Sequence, residues 1–198
     1  MAKFENTGQP DWDWWGRLWP TPGETLRRLG VEPGETYVEA GCGNGYFALP
    51  AARIVDPAPL YALDLDEELL GELADLADRQ GVENVVPVRG DVRELPAHLP
   101  ETVEGVLLAN AFHGIGETAA VVEAVFDALE PGGRFVVVNW RDLPREETAA
   151  MGEPRGPPTD LRMSPGETEA AVLDAPSGFS VARRVDLPPY HYAVVFER

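Results

Sequence analysis

The sequence predicts an α/β fold, in which a parallel sheet is covered by helices on both faces and ends in an antiparallel C-terminal hairpin. Short apolar stretches alternate with amphipathic segments of about 10–15 residues, which is the pattern of such a sheet. Glycines cluster where the first apolar stretch meets its helix, at the edge where open α/β sheets bind ligands. Residues 187–190 join the last two stretches and are too few for a parallel crossover, which predicts the hairpin.

Residues 1–35 are interpreted as a tryptophan-rich cap segment, and residues 36–198 as the ligand-binding domain. Four of the five tryptophans lie in the cap: Trp12, Trp14, Trp15 and Trp19. A short helix at 25–29 ends at Gly30. For most of these tryptophans we expect an anchoring role, and rings that face a cationic or aromatic ligand are the alternative.

The regular pattern of the domain begins with a strand at 37–40, a helix at 46–55 and a strand at 60–63. Asp66 caps the next helix. The apolar face of that helix comprises Leu69, Leu73, Leu76 and Ala77.

The second half of the domain contains strands at 85–88, 105–108 and 134–138, a helix at 118–129, a helix at 167–173 and hairpin strands at 179–185 and 192–196. Residues 141–165, rich in Pro, Glu, Arg and Gly, are too long for a plain connector and are interpreted as a substrate flap.

Length and composition suit one globular domain, because 198 residues with 44% apolar content can bury a core. No run approaches the roughly 18 apolar residues of a membrane span. Residues 1–6 lack the layout of a signal peptide. The single cysteine, Cys42, excludes an internal disulfide and a multi-cysteine zinc site. We therefore expect a cytoplasmic protein that has no membrane partner.

The charge balance is strongly acidic, with 34 Asp and Glu against 16 Lys and Arg and a formal charge of −18. Nucleic-acid binding draws on basic contacts, so we expect no nucleic-acid partner. Lys3 is the only lysine, and an acidic chain that uses arginine instead indicates a halophilic source, where salt screens self-repulsion. A GC-rich genome is the alternative. Molar salt would also weaken the argument against nucleic acid.

The most informative motif is residues 39–45, Glu-Ala-Gly-Cys-Gly-Asn-Gly. Small residues let the backbone approach a ligand closely, and the start of a helix offers free N–H groups. A dinucleotide loop of the form G-x-G-x-x-G would need its third glycine where Tyr46 stands. The acid at Glu39 suits a cationic ligand better than a pyrophosphate. Cys42 is expected to be a small packing residue.

At these residues the sequence resembles the class I S-adenosylmethionine (SAM)-dependent methyltransferases. Within them it is similar to the small-molecule branch that includes the quinone-biosynthesis enzymes. The likeness covers residues 36–138. It implies a Rossmann-like class I methyltransferase fold, SAM as the cofactor, and transfer of a methyl group to a small-molecule acceptor by in-line displacement at the cofactor sulfonium.

The resemblance also implies which residues bind the cofactor. Asp64 is placed at the ribose hydroxyls and Asp91 at the adenine amino group, with the backbone of Val92 facing the ring. Glu39 either contacts the cofactor amino group or accepts from loop N–H groups. The full set expected to bind the cofactor is Glu39, Gly41, Gly43, Asn44, Gly45, Asp64, Leu65, Asp91, Val92 and Asn110.

The methyl-transfer site is expected after the fourth strand, where His113 is the candidate general base or a lining residue. Asn110 would position cofactor or substrate, and Phe112 either packs on adenine or belongs to the core. In the flap, Arg155 and Arg162 either bind an anionic substrate or pair with nearby acids, Glu153 and Asp160. Tyr190, His191 and Tyr192 are further candidates for the border of the pocket.

Other function classes are less well supported by the sequence. The Asp-Asn pair of metal-dependent catechol-type enzymes is replaced by residues 139–142, Asn-Trp-Arg-Asp, so no metal is expected. A SAM-binding sensor or inactive partner subunit, and a nucleotide-dependent oxidoreductase, are the alternatives. The sequence does not specify the acceptor, the methylated atom or the oligomeric state.

Overall fold

The computed structural model describes residues 12–198, and the first 11 residues of the predicted cap lie outside it. Its strands are β1 (Tyr37–Ala40), β2 (Leu60–Asp64), β3 (Val85–Arg89), β4 (Val103–Ala109), β5 (Leu129–Trp140), β6 (Ala149–Ala150), β7 (Glu153–Pro154), β8 (Ser180–Leu187) and β9 (His191–Glu197). Seven of these strands form one sheet in the order β3-β2-β1-β4-β5-β9-β8, and β6 pairs with β7 separately. Strands β1 to β5 run parallel, while β8 and β9 form the predicted antiparallel hairpin.

The helices are α1 (Trp12–Leu18), α2 (Pro22–Leu29), α3 (Ala48–Val55), α4 (Glu67–Gln80), α5 (Thr118–Ala128) and α6 (Pro165–Leu173). Buried residues of α1 to α4 belong to one apolar cluster, and those of α5 and α6 belong to a second. Because neighbouring side chains on a strand point to opposite faces, β5 contributes Val136 to the first cluster and Val137 to the second. The sheet therefore separates two cores, and the predicted fold class is confirmed.

Parallel pairing brings the carboxyl ends of β1 to β5 to one edge of the sheet. In register, Ala40 of β1 pairs with Leu63 of β2 and with Leu108 of β4. Asp64 pairs with Arg89 across β2 and β3. The residues that follow these strand ends are therefore close to one another, at the edge where such sheets bind ligands.

Several element boundaries differ from the sequence prediction. Helix α3 starts at Ala48 rather than at residue 46, because Gly45 adopts a φ of +94° and its N–H closes a turn onto the carbonyl of Cys42. Helix α4 buries Leu70 where Leu69 was predicted. Leu69 is partly buried and lines a cavity, so its apolar side chain forms part of the cavity wall instead of the core.

The longest helix of the described chain is α4, with 14 residues. Within residues 12–198, no helix combines the length and the apolar character needed to cross a membrane.

Candidate functional site

A cavity of about 920 Å³ opens at the carboxyl edge of the parallel strands. It gathers most of the residues singled out from the sequence. Those that line it are Glu39, Gly41, Cys42, Gly43, Asp64, Leu65, Asp91, Val92, Asn110 and His113, together with Trp14, Trp15 and Arg155.

The glycine loop forms one wall of the cavity and is tied to β2. The N–H of Gly41 donates to the carbonyl of Leu63 at 2.8 Å, and the N–H of Gly43 donates to the Asp64 carboxylate at 2.8 Å. Gly41 has a φ of +72°, and a Cβ there would lie 3.3 Å from the Cβ of Ala111. A side chain at Gly41 would be strained and crowded, so glycine keeps the loop backbone open to a ligand.

Asp64 organises this corner of the site. One of its carboxylate oxygens accepts from Gly43, and the other accepts from the N–H of Asp66 at 3.0 Å. A carboxylate has about four acceptor positions, so two remain for hydroxyl donors of a ligand. Asp66 itself accepts from the N–H groups of Glu68 and Leu69, which confirms its predicted role as the cap of α4.

Glu39 is a buried acid near the end of β1, and only 2% of it is exposed. Its Oε2 atom has no hydrogen-bond partner in the described chain. The Gly41 and Gly43 amides are bonded elsewhere, so Glu39 is not their acceptor. Burial, with the negative charge of Asp64 added, raises the pKa of Glu39 well above its ordinary value. A cationic group in the cavity would compensate both effects.

Asn44 and Gly45 are not among the residues that line the cavity. The Asn44 side chain accepts from the indole of Trp12 at 2.8 Å and donates to Glu72 at 3.0 Å. Gly45 faces helix α4, where a Cβ would lie 2.2 Å from a methyl carbon of Leu73. These two residues shape the loop from behind, and their contact with the cofactor stays a prediction.

Asp91 lies after β3 and forms an ion pair with Arg93. Its carboxylate also accepts from the backbone N–H of Arg93 at 3.0 Å. The hydrogen bond from Arg93 lowers the pKa of Asp91, which keeps the carboxylate charged. Arg93 bonds Glu117 as well, at 3.0 Å. Arg93 is thus a cavity residue that the sequence analysis missed, although its position two residues after a predicted site acid is a usable signal.

Asn110 follows β4 in the left-handed region, with a φ of +58°. Its backbone N–H donates to Val138 at 2.8 Å. Both polar atoms of its side chain are buried and lack partners within residues 12–198. A non-glycine residue in this conformation with an unsatisfied amide is costly, and such strain concentrates at functional sites.

His113 lies on the short 3-10 turn Phe112–Gly114 and lines the cavity. Burial lowers its pKa to about 4; Asn139 opposes this shift and the charge of Arg162 adds to it. The ring is therefore neutral at pH 7, and its Nδ1 atom has no partner among the described residues. Phe112 is buried at 6.4 Å from the Phe135 ring, so it belongs to the core.

The cavity walls away from the glycine loop are aromatic and basic. Trp14 and Trp15 of α1, Trp140 at the end of β5, and the flap residues Arg145 and Arg155 all line it. The sequence analysis did not select Trp140 or Arg145. Trp140 ends the fifth parallel strand, so the rule that strand ends meet at one edge would have found it.

Of the expected border residues, His191 is buried against Trp19 and Trp140, with ring centroids 4.5 and 4.2 Å apart. The Tyr192 hydroxyl donates to the carbonyl of Met163 at 2.7 Å. Neither residue lines the cavity, and Tyr190 does not line it either. All three belong to the packing beneath the flap.

The site fits the cofactor that the resemblance implies. The orphaned Oε2 of Glu39 suits an amino group, the free acceptor positions of Asp64 suit two hydroxyls, and the open backbone at Gly41 admits close approach. Groups of three or more metal-ligating side chains are not found in the part of the chain that the structure describes.

Comparisons with known proteins agree with this geometry. The family model described as a methyltransferase domain matches residues 31–156. A tRNA (guanine(6)-N2)-methyltransferase of Thermus thermophilus is 34% identical over 64% of this chain and 40% of its own length. A probable cobalt-precorrin-6B C(15)-methyltransferase of Pyrobaculum calidifontis is 34% identical over 65% of both chains. A SAM-dependent methyltransferase structure from Aquifex aeolicus superposes with a TM-score of 0.78 at 22% identity, covering 92% of each chain.

These relatives overturn the expectation that nucleic acid is excluded as a partner. One of them is named for methylation of tRNA, and the matched region spans under half of that protein. The argument from net charge was wrong because net charge averages over the chain, whereas binding depends on the local field. The cavity is lined by Arg89, Arg93, Arg145 and Arg155 despite the formal charge of −18.

Proposed function

This chain belongs to the class I SAM-dependent methyltransferases, and from that premise we propose that it methylates a small-molecule acceptor held in the cavity. The observation that carries the proposal is a single cavity with two different walls. A glycine and carboxylate wall suits the cofactor, and an aromatic and basic wall lies beside His113. A volume of about 920 Å³ is at the upper end of ligand pockets, roughly 300–1,000 Å³, and accommodates two small ligands.

The cofactor would be held by residues from the ends of β1, β2 and β3. Glu39 would bind its amino group, Asp64 its ribose hydroxyls, and Asp91 with the backbone of Val92 its adenine. Leu65, which is exposed and lines the cavity, would cover the ribose side. When bound, SAM supplies a methyl group activated by a positively charged sulfur.

Asn110 and His113 would orient the acceptor, because both present buried polar atoms without partners in the described chain. The neutral imidazole of His113 is able to accept a proton or a hydrogen bond from the acceptor. A base with a pKa near 4 is weak, so its stronger contribution is to position the nucleophile rather than to remove a tightly held proton.

The described part of the cap, residues 12–35, and the flap at residues 141–165 would exclude water and enclose a small acceptor. Tryptophans of α1 and arginines of the flap line the same cavity, and the Arg155 guanidinium lies 4.9 Å from the Trp14 ring centroid. The roof is therefore built from two segments that contact each other. Similarity to the quinone-biosynthesis branch stays a prediction.

The test is a transfer assay with SAM that carries a labelled methyl group. A low-molecular-mass cell extract and total tRNA are offered separately. Label in the low-mass fraction, reduced in Asn110→Ala, supports the proposal. Label in tRNA would identify a nucleic-acid acceptor and contradict it. Cofactor binding without transfer to either fraction would favour the alternative, a non-catalytic SAM-binding subunit.

A further inference from the structure

The flap brings positive charge without carboxylate partners to the cavity. Outside the flap, Arg89, Arg93, Arg134 and Arg184 form ion pairs with acids, and Arg89 and Arg93 are the ones that line the cavity. Of the four flap arginines, Arg141 pairs with Asp186. The other three, Arg145, Arg155 and Arg162, have no carboxylate within ion-pair distance in residues 12–198. Of the four arginines that line the cavity, Arg145 and Arg155 are therefore the two that have no carboxylate partner in residues 12–198.

Arg155 is the member of this group that is best placed for a ligand. It is partly buried, it lines the cavity, and its Nε atom is buried without an acceptor in the described chain. Its backbone is fixed at both ends, because its N–H donates to the Thr148 carbonyl at 2.7 Å and its carbonyl accepts from the Thr148 hydroxyl at 2.8 Å. A fixed backbone with free guanidinium donors is suited to bidentate binding of an anion.

Arg162 holds the flap rather than the ligand. It is 7% exposed, and it donates to the carbonyls of Pro157 and Arg155 and to the hydroxyl of Thr148. Its guanidinium also lies 5.3 Å from the Trp140 ring centroid. Arg162 thus positions the segment that carries Arg155, and its residual positive charge stays unneutralised.

Arg145 adds a second free cation to the cavity. Its Nε donates to the carbonyl of Gly156 at 3.1 Å, which leaves its other donors available. Burial lowers the pKa of Arg162, and the positive charge of Arg145 lowers it further, while Glu146 partly offsets the effect. Like charges held this close favour binding of an anion, which would stabilise both.

The aromatic residues around these cations define the rest of the ligand. Trp14, Trp15 and Trp140 line the same cavity, and the ring centroids of Trp15 and Trp140 are 6.2 Å apart. The flap backbone lies directly against Trp140, because a Cβ on Gly156 would be 2.8 Å from that ring. Trp14 and Trp140 are 9% and 3% exposed, so they offer ring edges next to guanidinium donors, which suits an aromatic or other apolar group that bears a negative charge.

We propose that the methyl acceptor carries a carboxylate or phosphate that Arg155 and Arg145 bind, beside an apolar part that contacts the cavity-facing edges of Trp14 and Trp140. This inference rests on the proposed function and narrows its substrate class. The overall field of the chain repels anions, so local arginines are required to admit one.

The experiment is calorimetric titration of the full chain with matched probes, at the lowest KCl concentration that keeps the protein folded. Benzoate and 1-naphthoate are compared with their neutral amides, and 1-naphthyl phosphate provides the second anion. Titrations are run with and without S-adenosylhomocysteine. We expect each anion to bind about tenfold or more tightly than the matching amide, because charge-assisted hydrogen bonds to guanidinium are lost in the amide.

The variants assign this preference to the flap. Arg155→Met keeps the length of the side chain and should remove most of the preference, whereas Arg155→Lys should keep part of it. Arg27→Met, at an exposed position of α2, is the matched control and should bind like wild type. Equal binding of anions and amides, or no binding of any anionic probe, would overturn the inference.

Titration with S-adenosylhomocysteine alone separates this inference from the proposed function. If Arg155→Met binds it as wild type does, the cofactor site is intact and the anion effect belongs to the acceptor. If Arg155→Met loses it, the guanidinium serves the cofactor carboxylate and the acceptor inference fails. If wild type does not bind it, the proposed function fails, and the probe titrations without cofactor still decide whether the arginines bind anions.

Discussion

The two walls of the cavity are built in different ways. The cofactor wall consists of short motifs at strand ends, where the parallel register fixes the position of each residue: Glu39 on β1, Asp64 on β2 and Asp91 after β3. The roof consists of α1 and the flap, whose contacts join residues far apart in sequence, such as Arg155 with Trp14. Local motifs on a sheet are therefore readable from sequence, whereas a roof made of irregular segments is not.

The largest expected effect concerns the support behind the cofactor wall. Gly45→Ala should lower the free energy of unfolding by about 2–3 kcal/mol, because the added methyl would lie 2.2 Å from Leu73 in a full core. Gly81→Ala is the control, since Gly81 also has a positive φ, +64°, but has open space around it. Its cost should be about 1–2 kcal/mol, the cost of the backbone conformation alone. Urea denaturation of both variants measures the difference, and equal losses would contradict the clash.

The next effect tests the cofactor wall itself. Asp64→Asn should weaken SAM binding by about tenfold or more, because charge-assisted hydrogen bonds are worth roughly 1.5–3 kcal/mol each. Asp66→Asn, two residues away, retains a side chain that caps α4 and should leave affinity close to that of wild type. Calorimetry on both variants reports the result. If both variants lose affinity for SAM, the loss comes from a disturbed loop rather than from the Asp64 carboxylate.

The next prediction concerns how the free energy of unfolding depends on pH, through buried histidines such as His113 in the cavity lining. The pKa of His113 is lowered to about 4, and that of His191 is also lowered by burial. The unfolded chain therefore binds more protons than the folded one between pH 6.5 and 4. The stability that these neutral histidines contribute is present at pH 7 and is lost as the pH falls through that range.

The variant His113→Gln isolates one of these groups from the many carboxylates that also titrate. Its unfolding free energy should fall less steeply than that of wild type between pH 6.5 and 5, by up to about 1 kcal/mol per pH unit. Urea denaturation at three pH values provides the slopes. Parallel slopes for the two proteins would mean that His113 takes up its proton over the same pH range in the folded and unfolded states.

The smallest expected effect is that of salt, which should act in opposite directions on the stability of the whole chain and on anion binding in the roof. KCl should screen the repulsion among the acidic residues of this chain of charge −18 and so stabilise the folded state. Each kcal/mol of stability gained in this way should raise the melting temperature by about 2–4 °C. The same salt should weaken anion binding at Arg155. Calorimetric melts and probe titrations in one KCl series test both trends. A melting temperature that falls with KCl would argue against the halophilic source expected from composition.

Much of the fold could be predicted from sequence, because alternation and turn residues specify the strands, their parallel arrangement and the final hairpin; the order of the strands comes from the structure. Among the site residues, Asp64 and Asp91 were implied by the family resemblance, and the structure places both of them in the lining of the cavity. Asn44 could not be placed, because its bond to Trp12 depends on how α1 packs. For the arginines of the flap, the sequence allows either binding of an anionic substrate or pairing with nearby acids. Only the structure shows that Arg162 binds backbone carbonyls instead of the acids at 153 and 160.

Trp140 belongs to both walls, since it ends β5 and lies under the flap. Three of the five tryptophans, Trp14, Trp15 and Trp140, line the cavity, while Trp12 and Trp19 pack elsewhere. The chain therefore carries its own optical reporter: these three rings border the cavity, so a ligand held under the roof would change the surroundings of rings that emit in the ultraviolet. Quenching or a spectral shift on adding a ligand would follow occupancy of the roof in real time, without a dye and without turnover.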